Sequence, residues 1–247
     1  MSKLKYIFAF YIVSNLAFSQ VLLEYIKNSD FQGNIKTWKE KLKKFKTPKI
    51  NKNKYPLPFH IENTYNKVFY GDVCTKCHTA YPHKKGKYAA FLNMHAGFLT
   101  CTVCHVKIGA SSYSWIKIKG KKIYPVSGGP DRYGTTYIKY GDEIVLSGEF
   151  DDARIGPLVN GKPLDIPYKL VKDKIDKKDP LFTSKLHGYV VKEGIYSCKD
   201  CHLSPKPPLD LKALGFSKER IEEIKGKDVI IKALIKGKKI YFPEFIK

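Results

Sequence analysis

The chain has 247 residues, 45 of them Lys or Arg and 23 Asp or Glu, which gives a formal charge of +22 at neutral pH alongside 43% hydrophobic residues. A basic field of this size steers association with acidic proteins, anionic lipid headgroups or small anions, and carries no information about fold. Only the N-terminal segment approaches the length of a transmembrane helix.

Residues 1–19 read as a secretory signal peptide. Lys3 and Lys5 precede the apolar run Tyr6 to Val13, and Ala17-Phe18-Ser19 puts small residues before a cleavage point at Gln20. Cleavage leaves 43 basic against 23 acidic residues, a charge of +20. The expected location is periplasmic or extracellular, and nucleic acid is not an expected partner there. The competing reading is a retained anchor that runs on through Leu22 and Leu23. Ser14, Asn15, Ser19 and Gln20 interrupt it, whereas a span wants about 20 mostly apolar residues.

Residues 20–57 are expected to hold a basic amphipathic helix and a Pro-rich linker. Lys36 to Lys54 contains nine lysines against one acid, Glu40, while Ile35, Trp38, Leu42 and Phe45 recur at helical spacing. Such a helix either lies on a membrane or an acidic partner, or docks on its own domain and leaves its lysines to water. The second is the expectation. Thr47-Pro48 and Tyr55-Pro56-Leu57-Pro58 end the segment.

The chemistry enters in residues 58–110, which carry Cys74-Thr75-Lys76-Cys77-His78 and Cys101-Thr102-Val103-Cys104-His105. With Cys198-Lys199-Asp200-Cys201-His202 these use all six cysteines of the chain. Cys-x-x-Cys-His attaches c-type haem: two thiols add to the porphyrin vinyl groups and the adjoining imidazole becomes the proximal iron ligand. A thioredoxin-like centre has a single Cys-x-x-Cys and no obligatory His, and a zinc site gathers separate knuckles into one tetrahedron. Neither accounts for a His after every pair, so three covalent haems c are the expected cofactors. Cys74 and Cys101 stand only 27 residues apart, which implies a two-haem module. Its aromatic residues, among them Phe59, Tyr65, Tyr88 and Phe91, are expected to pack on porphyrin, with Tyr88 to His95 a short helix.

Residues 111–172 have a different texture. Trp115 to Lys119 and Lys122 to Tyr124 flank a Gly120 turn, Thr135 to Tyr140 and Glu143 to Leu146 flank Gly141-Asp142, and Asn160-Gly161 marks a further turn. This reads as a small β-containing insertion, serving as a docking face or as structural filler. Residues 173–208 group His187 with the third motif as a third-haem module. In residues 209–247, Leu209 to Leu214 and Ser217 to Ile224 read as two short helices in a tail that packs over the haem core. The expected fold is mostly irregular, with short α-helices organised around covalent haems plus the β insertion, an α+β multihaem arrangement.

With His78, His105 and His202 assigned as proximal ligands, His60, His83, His95 and His187 remain as distal candidates for three irons. His60, His95 and His187 stand 14, 6 and 11 positions before the first cysteine of a motif. His83 follows His78 by five residues, a reach of about 17 Å at most when extended, so it is expected to serve a neighbouring haem. Met94, beside His95, cannot easily share its direction. Three of four histidines suffice to close every iron; the fourth is structural or serves another subunit.

The stretch Cys74 to His83, then Ala90-Phe91-Leu92-Asn93-Met94-His95 leading into the second motif, resembles the haem-binding core of periplasmic multihaem c-type cytochromes of anaerobic and sulfur or nitrogen respiration. The third motif followed by Leu211 to Phe216 is similar to the closing segment of such proteins. The resemblance implies bis-His haems in electron transfer, with His60, His83, His95 and His187 at positions where distal ligands occur. The expected function is an electron carrier rather than an enzyme, with acidic redox proteins as partners, including a quinol dehydrogenase or terminal reductase. Three alternatives stay open: a subunit reducing nitrite or a sulfur oxyanion at an open iron, a membrane-anchored quinol-oxidising subunit, and a subunit of a polymeric cytochrome wire.

Overall fold

In a computed structural model, which describes residues 21–46, 70–78, 82–83, 88–126, 137–140, 143–146, 153–227, 232–233 and 235–236, the strands after the second motif form the frame of the molecule. The signal segment, the linker and His60 lie outside the described residues. Strands β1 (Ser112–Lys119) and β2 (Lys122–Val126) make the hairpin expected around Gly120, whose φ of 67° is the left-handed value such a turn requires. β3 (Tyr137–Tyr140) and β4 (Glu143–Leu146) pair as a separate two-stranded ribbon. β5 (Arg154–Val159) and β6 (Lys162–Pro163) turn at Asn160 and Gly161, with φ of 52° and 75°. The main sheet has the order β2-β1-β5-β6, all antiparallel. Pro163, which has no N–H to donate, sits on its edge strand.

This sheet is no side module. Thr100 N donates to Ile155 O at 2.9 Å and Ile155 N to Phe98 O at 2.7 Å, so β5 holds the approach to the second motif. Beyond β6, Val73 N donates to Ile166 O and Tyr168 N to Gly71 O, both at 2.8 Å, which fixes the approach to the first.

The helices are short. α1 (Val21–Asn28) and α2 (Ile35–Lys44) precede the motifs; α3 (Val73–Cys77), α4 (Ala89–His95) and α5 (Cys101–His105) lie among them. α6 (Lys172–Asp176), α7 (Pro180–Gly188), α8 (Cys198–His202) and α9 (Lys218–Glu222) follow the sheet. α7 begins where Asp179 accepts from the N–H groups of Leu181 and Phe182, each at 3.0 Å, with Pro180 as its first residue. Leu209 to Leu214, expected as a helix, is a single hydrogen-bonded turn, with Leu214 N on Asp210 O and Gly215 at φ 85°. Pro207-Pro208 before it and Gly215 after it leave no room for a second turn, and Leu211, Leu214 and Phe216 are drawn onto Trp115 instead.

Two apolar cores lie about this frame. The first centres on Trp115, 1% exposed, which stacks on Phe216 and donates its Nε1–H to Leu214 O at 2.8 Å. The second joins Val21, Leu22, Leu23 and Ile26 of α1 to Val73, Leu164, Ile166, Phe182 and Leu186. Each such side chain contributes about 1.5–3 kcal/mol on burial. Leu22 and Leu23 thus belong to the protein core, so an anchored form cannot draw on them for its span. Among the described residues no helix is long and apolar enough to cross a membrane.

Candidate functional site

Each Cys-x-x-Cys pair occupies one helical turn, which sets residues three apart on the same side. In α3 the turn starts at Asp72, whose Oδ1 accepts from the Thr75 N–H at 2.7 Å and from the Thr75 hydroxyl. α8 starts with a reciprocal cap, Ser197 N donating to Asp200 Oδ2 at 2.6 Å. α5 has no side-chain cap, but Thr100 and Thr102 at its start both donate to the buried Asp165. In all three the His ends the turn.

The three motif histidines each face a histidine from elsewhere in the chain. His78 faces His187 with ring centres 6.3 Å apart, His105 faces His83 at 6.0 Å, and His202 faces His95 at 6.0 Å. Three of the four distal candidates are therefore brought to motif histidines, and His60 lies outside the described residues. His83 meets the second motif, not the adjacent first one. His187, grouped by sequence proximity with the third motif, faces the first; His95, close before the second motif, faces the third. Neighbourhood along the chain is a poor guide here because β5, β6 and the segments after them fold back between the motifs.

Backbone oxygens orient four of these rings and a side-chain amide a fifth. Nδ1 of His95 is 2.7 Å from Phe91 O, and Nδ1 of His105, His187 and His202 lies 2.8 Å from Val191 O, Thr183 O and Ile224 O. His83 Nδ1 is 3.1 Å from Asn93 Oδ1, and Asn93 also clasps the His83 backbone. An Nδ1–H donated to oxygen leaves Nε2 as the bare base, the arrangement by which proteins orient and strengthen an imidazole ligand. Ile224 supplies its carbonyl from a π-helical turn, Glu223–Lys227, that continues α9. Burial holds the His83, His95 and His187 imidazoles below their ordinary pKa, towards the neutral form that binds metal.

The thiols behave oppositely to a redox-active pair. The contact with Cys101 and then burial push Cys74 well up, burial raises Cys77, and burial takes Cys104 to about 11 and Cys201 to about 12. A thiol-disulfide centre instead has a depressed thiol pKa. No disulfide joins them. Among the described residues, no group of three or more His, Cys, Asp or Glu side chains surrounds a common metal position.

Several residues of the site were not singled out from the sequence. Trp38 of α2 packs on His187 with ring centres 4.3 Å apart and ring planes tilted by 35°. Asp72 and Asp165 are both 0% exposed, Asp165 beside the start of α5 and Asp72 at the start of α3. Asp72 Oδ2 has no hydrogen-bond partner among the described residues, and the buried Arg154, stacked 4.5 Å over Tyr70, lowers the Asp72 pKa against the larger effect of burial. Asp72 was legible as a helix cap two residues before Cys74. Asp165 had no local signal. Comparison of the chain with protein-family models, with curated proteins and with solved structures gives no match.

Proposed function

We propose that this protein is an exported trihaem c-type cytochrome that carries electrons between redox partners, each iron held between two histidines: His78 with His187, His105 with His83, and His202 with His95. The observation that carries the proposal is the spacing of those three pairs. An imidazole nitrogen sits about 2.0 Å from a first-row metal with the ring centre roughly 1.1 Å behind it, so two rings sharing one axial ion stand about 6.2 Å apart. The three pairs are 6.3, 6.0 and 6.0 Å apart, and each includes the last residue of a Cys-x-x-Cys-His. The residues fit the group, and they do so three times over.

Bound haem would supply one-electron chemistry, with low potential expected of two imidazole ligands. The chain's own residues hold it and tune it. Cys74, Cys77, Cys101, Cys104, Cys198 and Cys201 supply the thioether links. Phe91, Val191, Thr183 and Ile224 turn the imidazoles by accepting their Nδ1–H groups. Asn93 does so for His83. The three pairs favour electron transfer over reduction of a small anion, because two histidines would hold each haem and leave no place for a substrate to bind.

One sample tests this. Intact mass of the purified protein should show three covalent haems, and carbon monoxide added to the dithionite-reduced form should leave the Soret band essentially unmoved. A strong shift would reveal an open iron and move the reading to the reductase alternative. A mass without haem would end it.

A further inference from the structure

We propose that α2 is the docking surface for an acidic redox protein, and that electrons cross at the first centre, through the side of the molecule on which His187 sits. The inference rests on the cytochrome reading and adds to it a place and a partner. α2 carries Lys36, Lys39, Lys41, Lys43 and Lys44, all exposed, with Lys46 exposed just beyond; its one acid, Glu40, pairs with Lys43 at 3.4 Å. Lys36 and Lys39, Lys39 and Lys43, and Lys41 and Lys44 are like charges at i,i+3 or i,i+4. Each such pair destabilises a helix by about 0.2–0.5 kcal/mol. The helix has no fully buried residue to compensate.

The position of this charge is specific. Trp38, half-buried on the inner side of α2, packs against the His187 ring with centres 4.3 Å apart, and the Lys41 ammonium lies 4.8 Å from the Trp38 ring. Lys178 pins the far end, its Nζ donating to Leu42 O at 3.1 Å and Phe45 O at 3.4 Å. The lysine face is thereby held over the ligand of one centre rather than spread round the molecule. An acidic protein seated there would bring its own redox group towards His187 and Trp38.

The same packing argues against a membrane. An interfacial helix buries its apolar face in lipid. Here that face is already turned to α7, and the exposed side is dominated by lysines. Complementary charge raises association rates by about 10- to 1000-fold at low salt and loses its effect as salt rises.

The test uses the haem-loaded full chain, oxidised, mixed by stopped flow with the hydroquinone of an acidic flavodoxin at low and high ionic strength. The variant Lys36→Gln/Lys39→Gln/Lys44→Gln should lower the low-salt second-order rate at least about tenfold, converging with wild type at high salt. A control of equal charge change, Lys192→Gln/Lys206→Gln/Lys212→Gln, removes exposed lysines elsewhere on the chain and should slow the reaction far less. Equal slowing of both variants, or of neither, overturns the proposal. Loss of sedimentation with phosphatidylserine vesicles in the α2 variant, with the flavodoxin rate intact, overturns it in favour of a lipid surface. Intact mass on the same samples keeps the two readings apart. A chain without haem removes the cytochrome reading and this one with it, whereas a fully loaded chain with an unchanged rate removes this one alone.

Discussion

Replacing Asp165 by Asn should stabilise the protein increasingly as pH rises from 4 to 8. Asp165 is 0% exposed; burial first, and the neighbouring Asp72 second, push its carboxyl from 3.8 to about 7, against hydrogen bonds from Thr102 and Thr100 that pull it back. In the unfolded chain the carboxyl ionises near its ordinary value. Between those two pH values the folded state binds more protons than the unfolded one, so stability falls as pH rises. Below both values the site imposes no penalty, and above pH 7 the penalty is complete. At about 1.36 kcal/mol per pH unit the rise corresponds to on the order of 4 kcal/mol. Asn keeps an acceptor for the threonine hydroxyls and does not titrate. Urea unfolding of haem-loaded wild type and Asp165→Asn, followed by far-ultraviolet circular dichroism at pH 4, 6 and 8, should show a gap that widens with pH by up to that amount. Asp72→Asn should narrow the gap, since it removes the second cause. A difference between wild type and Asp165→Asn that stays constant across the range would refute the reasoning.

Three other outcomes follow from named contacts. His95→Ala should leave three haems attached yet produce a carbon monoxide response at one of them, because His95 faces His202; an unresponsive variant removes that pairing. His187→Met should raise the potential of one haem in a spectroelectrochemical titration, and an unchanged titration removes His187 as the partner of His78. Gly156→Ala should destabilise by about 1–3 kcal/mol, because the added methyl would overlap Ile116 Cδ1 and stand 3.0 Å from Asp165 Oδ2. A thermal midpoint within a degree of wild type would show that Ile116 gives way freely.

The three Cys-x-x-Cys-His motifs were legible without the fold, since each is one turn of helix plus its closing residue, a local conformation that does not depend on what packs round it. The same holds for the Gly120 and Asn160-Gly161 turns, where φ is positive and the residue types announce it. The amphipathic spacing of Ile35, Trp38 and Leu42 likewise anticipated α2, though not what its apolar side would touch. Leu209 to Leu214 shows where local reading fails: its apolar spacing fits a helix, yet the pull of Trp115 and the flanking Pro and Gly residues leave one turn.

Which histidine faces which motif depends on pairings across long stretches of chain. His187 reaches His78 because α7 packs with α1 in the second core, and because the segment after β6 hydrogen-bonds the approach to the first motif. Asp165 reaches the start of α5 by the same route, 63 residues from Thr102. The amino-acid sequence by itself determined the number of Cys-x-x-Cys-His motifs, the four other histidines and the excess of lysine, since residue types, short spacings and charge are properties of the sequence alone. Only the tertiary structure decided the three pairs, the carboxyls between the first two motifs and the placing of α2 over His187. Those are distances between segments remote in sequence, set by sheet pairing and the burial of two apolar cores.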